Sequence, residues 1–415
     1  MRIDSSNYNG ACSCGRSHIM HTELSVIESG ALFRFDKYLS ECGIVGKRVA
    51  VYDKNTYAAT RDRHPRVELE VVLDPDGLHA NEHGVELLLK NVPEDARVLV
   101  AIGSGTIHDI TRYVAYTKGI ELVSCPTAAS VDGFCSSVAA MTWGGCKKTL
   151  TAVAPKLVVA DLDVIKNAPL RLAKSGLGDM LGKYIALTDW QIGRILKDEY
   201  YCQRIVDIMR AATEAVMNSA EGIIKGDEGA YLSLTEGLLL SGLAMQMIGN
   251  SRPASGAEHH ISHIIEMSPE TLAVSSDNLH GEKVGVGTLL ALSEYKRVIA
   301  AEAISFKDYR EYTEAELSGV FSGSMLEGVI EENKNDSAAS ISAVALKASW
   351  GKICDVITAL PEPQELLNLY QRLGILATLT DIGVREDAER VLLYSSPMVR
   401  NRLTLMRLMK CIDLE

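Results

Sequence analysis

Apolar and polar residues follow two different rhythms along the chain, and the change falls near residue 168. In the first part, short runs rich in Val, Ile and Leu are separated by segments whose apolar residues recur at helical spacing. The runs predict strands, and the segments between them predict helices. The predicted strands are 47–53, 67–74, 96–103, 120–126, 147–152 and 156–165, and the predicted helices are 25–42, 81–92 and 106–119.

Strands that alternate with helices at this spacing indicate βαβ units, because parallel neighbours need a crossover connection. From about residue 168 onward the apolar residues keep helical spacing almost without interruption. We therefore predict an α/β nucleotide-binding domain with a parallel sheet over residues 25–167, followed by an all-α domain over 168–415. Residues 1–24 are predicted to be a polar N-terminal tail.

Composition narrows the classes of protein to consider. The chain has 415 residues, of which 47% are apolar and 23% charged, as is usual for a folded globular protein. Its formal net charge of −12 argues against nucleic-acid or anionic-membrane partners, because both need a basic surface. No run reaches the roughly 18 apolar residues of a membrane span, and the first residues lack an apolar signal core. We expect a cytoplasmic protein whose nine cysteines are reduced.

A glycine-rich turn, VLVAIGSGTIHD, follows the predicted strand 96–103 and opens the next predicted helix. Gly103 and Gly105 would let the backbone approach a phosphate, and the helix N-terminus supplies free N–H groups and a positive dipole end. The stretch departs from the dinucleotide fingerprint G-x-G-x-x-G, because His108 stands at the third glycine position. A nucleotide site and a purely structural turn both fit this stretch.

Asp53 ends the first predicted strand, where a carboxylate could accept hydrogen bonds from the adenine ribose of a dinucleotide. Such a contact favours NAD over NADP, because the carboxylate would repel a 2′-phosphate. An ordinary turn in the stretch D-K-N-T explains the residue equally well, so both interpretations stay open.

The segment SGLGDMLGK (175–183) places Asp179 and Lys183 four residues apart, on one face of a predicted helix. A surface ion pair is one interpretation of this spacing. The apolar residues around the pair favour the other interpretation, a partly buried position beside a ligand.

Three of the ten histidines fall within GAEHHISH (256–263). On a helix His259 and His263 share a face, whereas His260 is rotated by about 100° and is expected to face solvent. His280 follows in LHGEKVGVG. A carboxylate and two imidazoles form a typical catalytic metal set that leaves coordination positions open for substrate. Asp179, His259 and His280 are therefore candidate ligands.

A second group of possible ligands lies near the N-terminus. Cys12 and Cys14 form a C-x-C pair, followed by His18 and His21. This pair lacks the second ligand pair of a usual zinc site and lies in a polar segment, so the sequence assigns it no role.

Five motifs occur in an order that is typical of one family: GSGTIHD (103–109), PTAASVDGFCS (126–136), GLGDMLGK (176–183), GAEHHISH (256–263) and LHGEKVGVG (279–287). Over roughly residues 25–400 the chain closely resembles the sn-glycerol-1-phosphate dehydrogenases, above all those of the bacterial AraM type. Their wider group contains glycerol dehydrogenases, iron-type alcohol dehydrogenases and 3-dehydroquinate synthases. PTAASVDGF is the most discriminating motif, because the wider group shares the others.

The resemblance implies a fold like those of dehydroquinate synthase and the iron-type alcohol dehydrogenases, with NAD(H) or NADP(H) as cofactor. Ser104 departs from the pattern, since many relatives have glycine there. The cofactor residues so implied, together with Gly103 and Asp53, are Gly105, Thr106, Ile107, His108 and Asp109 at the pyrophosphate and Thr127, Ala128, Ala129, Ser130 and Ser136 near the nicotinamide.

The resemblance also implies one divalent metal ion, zinc or nickel, bound by Asp179, His259 and His280. Asp132, Asp179 and His263 would contact the substrate and carry the catalysis. Lys183 would help to position the substrate phosphate or the ligand carboxylate. His260 receives no role.

The implied reaction is the reversible reduction of dihydroxyacetone phosphate to sn-glycerol 1-phosphate by a homodimer or larger oligomer. The alternatives are a dehydrogenase of glycerol or another polyol, a dehydroquinate-synthase-like lyase, and a catalytically silent relative that binds nucleotide or metal. PTAASVDGF argues against the first two. The silent relative is disfavoured because the set of Asp132, Asp179, His259, His263 and His280 is complete.

Overall fold

The computed structural model describes residues 1–144 and 146–414, with the side chains of all of these except 146 and 147. The strands are β1 Arg2–Asp4, β2 Gly10–Ala11, β3 Ser17–His18, β4 Leu24–Glu28, β5 Lys47–Asp53, β6 Leu69–Leu73, β7 Ala96–Gly103, β8 Glu121–Pro126, β9 Val138–Trp143, β10 Cys146–Thr151, β11 Leu157–Asp161, β12 Ile304–Phe306 and β13 Ile412–Leu414. The helices are α1 Phe35–Glu41, α2 Lys54–Thr60, α3 Glu82–Leu89, α4 Gly105–Lys118, α5 Leu162–Lys166, α6 Leu170–Leu181, α7 Lys183–Lys197, α8 Gln203–Ile224, α9 Glu228–Ile248, α10 Ala257–Met267, α11 His280–Ile299, α12 Glu314–Ser318, α13 Gly323–Glu332, α14 Ala343–Thr358, α15 Pro363–Leu373, α16 Glu389–Ser395 and α17 Leu405–Leu408.

Contacts between Cα atoms divide the chain into two compact units. The first unit comprises residues 1–180 and 214–250, and the second comprises 181–213 and 251–415. The first unit is therefore discontinuous in sequence, because the chain leaves it near the end of α6 and returns within α8.

The first unit is built on a seven-stranded sheet with the order β1-β4-β11-β8-β7-β5-β6. Six of the strands run parallel, and β1 is added antiparallel to the edge strand β4. Hairpins β2–β3 and β9–β10 form two further small sheets. The predicted fold class, an α/β region with a parallel sheet followed by a helical part, is confirmed.

Both faces of the parallel sheet are buried, as its run-like apolar strands require. Tyr52, Val100 and Ile102 point into a core that contains Phe35 and Leu39 of α1. The alternate residues point into the opposite core, which contains residues of α3 and α4; from the strands this core takes Val51, Leu99 and Ala101. The sequences of the central strands are consequently continuous apolar runs, in which polar residues do not alternate with apolar ones.

Over its described residues, the second unit is helical apart from the two-stranded antiparallel sheet of β12 and β13, which the sequence pattern did not predict. Both strands have only three residues, too few to show a period of two. Across the described residues, no helix combines the length and apolar character needed to cross a lipid bilayer.

Three predicted elements are wrong in detail. The predicted helix 25–42 is strand β4 followed by a turn and α1, because β-branched Val26 and Ile27 pair with β11 and Gly30 adopts a φ of +70°. The predicted strand 156–165 ends at Asp161, whose side chain caps α5 by accepting from the Asp163 N–H. The predicted helix over Asp179 and Lys183 is two helices, since α6 ends at Leu181 and α7 begins at Lys183.

Candidate active site

The glycine-rich turn lies where the order of strands in the sheet reverses. β6 follows β5 on its outer side, whereas β7 lies on the inner side of β5. Asp53 and Gly103 end these two neighbouring strands. In open parallel sheets, ligands bind outside the carboxyl ends of strands at such a switch point. The topology thus favours the turn as a cofactor site over a purely structural turn.

The turn itself is tight because Gly103 lacks a side chain. A Cβ atom there would lie 2.6 Å from the Ile107 Cβ, so a larger residue would push α4 away from β7. Ser104 is the N-cap residue of α4, but its side chain makes no capping hydrogen bond within the described chain. The first N–H groups of α4, at Gly105 and Thr106, are therefore in the arrangement that binds phosphate in other proteins.

His108 is buried and points away from this helix end. Its Nε2 lies 2.8 Å from the Ser124 Oγ and its Nδ1 lies 3.0 Å from the Ser104 carbonyl oxygen. Burial, together with the nearby Arg112 guanidinium, lowers the pKa of His108 to about 3. The ring is therefore neutral, and only the backbone of this residue is available to a cofactor.

Asp53 has a clear local role. Its Oδ1 accepts the Thr56 N–H at 2.8 Å, and the Asp53 N–H donates to the Thr56 Oγ1 at 3.0 Å, which forms a capping box at the start of α2. The local turn that the sequence offered as one interpretation is present. The contact with a ribose stays a prediction.

The segment 126–136 is pressed against α6. A Cβ atom on Gly176 would lie 2.1 Å from the Ala129 carbonyl oxygen, which excludes any larger residue. The Ser175 Oγ donates to the Ser130 carbonyl at 3.2 Å, and the Thr127 N–H donates to the Gly103 carbonyl at 3.0 Å. The buried residues Thr127, Ala128, Ala129 and Ser130 are thus held mainly through their backbones.

Asp132 lies in this segment with both its backbone and its side chain fixed. Its N–H donates to the Asp179 Oδ2 at 3.0 Å, and its Oδ2 accepts the Ser241 hydroxyl at 2.7 Å. Asp179 is fully buried, whereas Asp132 is partly exposed. The structure therefore joins two predicted substrate residues, Asp132 and Asp179, through one hydrogen bond.

Ser136 uses its side chain within the segment, because its Oγ donates to the Val138 carbonyl at 2.9 Å. Arg112, a buried residue of α4, holds the backbone near Ser136 in place. This residue was not identified from the sequence. Its guanidinium donates to the carbonyls of Gly133 at 2.6 Å and Val138 at 3.0 Å, and pairs with Asp109 at 3.3 Å. An arginine on the otherwise apolar buried face of a predicted helix is the signal that could have found it.

In the second unit, His259 and His280 each face a carboxylate. The His259 Nδ1 lies 2.6 Å from the Glu258 Oε1, and the His280 Nδ1 lies 3.0 Å from the Glu266 Oε1. When its carboxylate is ionised and can only accept, each Nδ1 carries the proton, and Nε2 is the nitrogen with the lone pair. Ring nitrogens of His259 and His280 lie within 4.8 Å of each other. A carboxylate on the far side of each imidazole is the usual support of a metal ligand.

The two supporting carboxylates differ in electrostatics. Burial raises the pKa of Glu258 to about 7. Burial also acts to raise the pKa of Glu266, but His280 and the Lys283 ammonium, 3.1 Å away, hold it well below its ordinary value. Sequence reasoning missed both glutamates, although Glu258 stands inside the quoted motif GAEHHISH.

His263 lies with its ring 6.1 Å from that of His259 and 6.3 Å from that of His280, measured between centroids. Removal from water lowers the pKa of His263 to about 3, so this imidazole is neutral. The expectation that His260 faces solvent is wrong, because the residue is fully buried. Helix α10 packs against the segment 396–399, and the helical period alone could not show such a neighbour.

Lys183 is buried at the start of α7, and its ammonium donates to the Ala254 carbonyl at 3.0 Å. This contact fixes the segment that precedes α10 and its histidines. The predicted role beside a substrate phosphate stays a prediction. His259 and His280 supply two neighbouring ring nitrogens as candidate ligands for a metal ion. Asp179, in the first unit, stays a predicted ligand.

Comparison with known proteins identifies the class. Residues 26–169 match the family model of the iron-containing alcohol dehydrogenases. Solved structures with a similar fold include a probable glycerol dehydrogenase from Sinorhizobium meliloti, with a TM-score of 0.62 and 18% identity over 92% of this chain and 90% of that one. An iron-containing alcohol dehydrogenase from Thermotoga maritima gives a TM-score of 0.56 and 12% identity over 93% and 94%. The fold is that of the iron-containing alcohol dehydrogenases.

Sequence relatives define the family within this class. The glycerol-1-phosphate dehydrogenase [NAD(P)+] of Halalkalibacterium halodurans is 32% identical over 95% of this chain and 94% of its own length. That of Geobacillus stearothermophilus gives the same values, and that of Pyrococcus furiosus is 39% identical over 46% of this chain and 54% of its own. The chain belongs to the glycerol-1-phosphate dehydrogenase family, and the resemblance predicted from its motifs is confirmed.

Proposed function

We propose that the protein reduces dihydroxyacetone phosphate to sn-glycerol 1-phosphate with NADH or NADPH, reversibly, using one divalent metal ion. The observation that carries the proposal is the pair of imidazoles, His259 and His280, each with its Nδ1 beside a carboxylate and with ring nitrogens within 4.8 Å of each other. The relatives that match this chain along most of its length are named for this activity.

The donor set fits a divalent metal ion of the zinc or nickel type. Asp179, His259 and His280 would be its ligands, since one carboxylate and two neutral imidazoles suit either ion and leave positions open for substrate. Bound there, the ion would draw electron density from the C2 carbonyl of the substrate, and a reduced nicotinamide would supply the hydride.

The remaining residues have positioning and proton-transfer roles in this proposal. Ser241 holds the Asp132 carboxylate, and the Asp132 N–H holds Asp179. His263 lies beside the paired imidazoles, so a relay through His263 or Asp132 would pass a proton from water to the C2 oxygen. Lys183 would act on the ligand segment through the Ala254 carbonyl.

The fit to a dinucleotide rests on the first unit. The uncapped start of α4 and the close packing of Gly103 on Ile107 would hold the pyrophosphate at the switch point of the sheet. The segment 127–130 would lie along the nicotinamide. The proposal includes a homodimer or larger oligomer as the active form.

The test is oxidation of NADH and of NADPH with dihydroxyacetone phosphate, on chelated protein and again after addition of zinc or nickel. We expect metal-dependent turnover and a product that an enzyme specific for sn-glycerol 3-phosphate does not oxidise. His259→Ala should lose metal and turnover together, a fall of several kcal/mol in transition-state stabilisation or roughly 1000-fold in kcat/KM. His263→Ala should keep the metal and lose turnover.

Two outcomes would contradict the proposal. Turnover with glycerol and NAD but none with the phosphorylated substrate would identify a polyol dehydrogenase. An absence of turnover with either metal and either cofactor would identify a silent binding protein. Size-exclusion chromatography with light scattering measures the oligomeric state, and a monomer that is active would refute the proposed assembly.

A further inference from the structure

The N-terminal hairpin carries a second group of metal-binding side chains, remote in sequence from the site described above. We propose that Cys12, Cys14 and His18 bind a zinc ion and that this ion has a structural role. The proposal does not depend on the proposed function, because it rests on a different group of residues and on thiolate chemistry.

The fold of the hairpin gathers the first three donors. Strands β2 and β3 pair antiparallel with His18 opposite Gly10, and the turn between them carries both cysteines. The Cys12 N–H donates to the Arg16 carbonyl at 2.9 Å, and the Gly15 N–H donates to the Cys12 carbonyl at 3.0 Å. The two sulfur atoms and a ring nitrogen of His18 lie within 4.8 Å of one another.

His18 is oriented as a ligand. Its Nδ1 lies 2.8 Å from the Met247 carbonyl oxygen, which can only accept, so Nδ1 carries the proton. Nε2 therefore keeps its lone pair and faces the Cys14 sulfur at 3.4 Å. A backbone carbonyl on the far nitrogen is a common support of zinc-bound histidines. The ring is also buried, which fixes this orientation.

The spacing agrees with tetrahedral coordination. With usual Zn–S and Zn–N bond lengths, a sulfur and a nitrogen on the same tetrahedral zinc lie about 3.6 Å apart. The Cys14 sulfur and the His18 Nε2 are 3.4 Å apart before any ion is placed. A zinc ion would thus enter with only a small movement of either side chain.

The donor set is rich in sulfur. Two thiolates and one imidazole are ligands of the kind that structural zinc sites use. They differ in kind from the oxygen and nitrogen donors of Asp179, His259 and His280.

The contacts of the hairpin suggest what the ion stabilises. His18 bonds to Met247 of α9, and the neighbouring Gln246 accepts the His21 N–H at 2.7 Å. Gln246 also donates to the Cys135 carbonyl at 2.5 Å, at the end of the segment that carries Asp132. The zinc ion would fasten the N-terminal residues to the end of α9 and so support this segment.

The experiment compares metal content and cobalt spectra of the full chain, kept reduced throughout. Wild-type protein should hold about two metal ions per chain, and the zinc that resists chelation should be released by an organomercurial that modifies thiols. After replacement by cobalt, the thiolate ligands should give charge-transfer absorption in the near ultraviolet. Cys14→Ser should lose this absorption and about one ion per chain.

Two matched variants separate the two sites. His259→Ala should lose the other ion and keep the thiolate absorption, because its site contains no sulfur. Cys354→Ser, which alters a cysteine outside the group, should keep both ions. The proposal is overturned if reduced wild-type protein loaded with cobalt shows no thiolate absorption, or if Cys14→Ser retains it. The wild-type spectrum decides the question even if Cys14→Ser does not fold.

Discussion

The two units fix their candidate functional groups by opposite means. In the first unit, the segment 126–136 is held through its backbone, by Arg112 on its carbonyls and by the close approach of Gly176. In the second unit, the functional atoms are side-chain nitrogens, and each is aimed by a buried or half-buried carboxylate. The first arrangement shapes a surface for a ligand, whereas the second sets the protonation of two imidazoles.

This difference predicts different consequences of substitution. Loss of a backbone contact lets the segment move, which should weaken the binding of the ligand along the whole segment. Loss of a carboxylate lets the imidazole turn or change tautomer, which should lower the affinity for the metal ion.

The largest effect is expected at Glu258. Glu258→Gln keeps the size of the side chain but removes the charge that holds the His259 Nδ1 proton and, through Oε1, the Gly256 N–H at 2.9 Å. Loss of such a supporting carboxylate lowers metal affinity roughly 10- to 100-fold. Competition with a chelating dye measures this affinity. Glu294→Gln is the control, since Glu294 is also buried but pairs with Arg297. Equal metal affinity in the two variants would show that Glu258 does not support the metal site.

A smaller effect is expected at Ser241. Ser241→Ala removes the hydroxyl that donates to the Asp132 carboxylate at 2.7 Å. Hydrogen bonds to charged groups contribute about 1.5–3 kcal/mol, so kcat/KM for dihydroxyacetone phosphate should fall roughly 10-fold or more while metal content is unchanged. Ser219→Ala is the control, because that hydroxyl bonds only within its own helix, to Ala215 and Val216. A loss of metal in Ser241→Ala would refute the division of roles between the units.

A third effect concerns stability and its dependence on pH. The pKa of His108 is about 3 in the folded protein, below its ordinary value of 6.5. The unfolded chain therefore binds a proton below pH 6.5 that the folded chain does not bind. The stability so contributed is complete above pH 6.5 and is lost as the pH falls towards 3, by about 1.4 kcal/mol per pH unit.

In His108→Gln, the free energy of unfolding should depend less steeply on pH between pH 6 and pH 4, by a slope that corresponds to about one proton. Urea-induced unfolding at a series of pH values measures the slope. His83→Gln replaces an exposed histidine of α3 and should leave the slope unchanged. A slope in His108→Gln that equals the wild-type slope would show that the ring is protonated in the folded protein.

Most of the fold could be predicted from the sequence because the elements of the parallel sheet are locally encoded. β5 and β7 have the predicted bounds, since their apolar runs are buried on both faces and end at Asp53 and Gly103. The strand β4 was mistaken for helix because its apolar residues also fit a helical period. Its pairing with β11, more than 120 residues away, decides its structure, and no local pattern contains that information.

In the candidate site, too, some residues could be predicted from the sequence and others could not. The donors themselves are visible in the sequence, because histidines at helical spacing and a carboxylate in a glycine-rich segment are unusual. The residues that support these donors are not visible in the sequence, since Ser241 and Asp132, for example, are 109 residues apart in the chain. His260 shows the limit of the helical period, which indicates a face but not whether another element covers that face.

The discontinuity of the first unit bears on how the chain folds during synthesis. The sheet strands are complete at Asp161, yet the α9 residues that hold the segment 126–136 come as late as Ser241 and Gln246. Until α9 has emerged from the ribosome, that segment lacks its final supports, and the nascent sheet stays exposed on this side. The α/β part therefore completes its folding only after a stretch of the other unit has already been made.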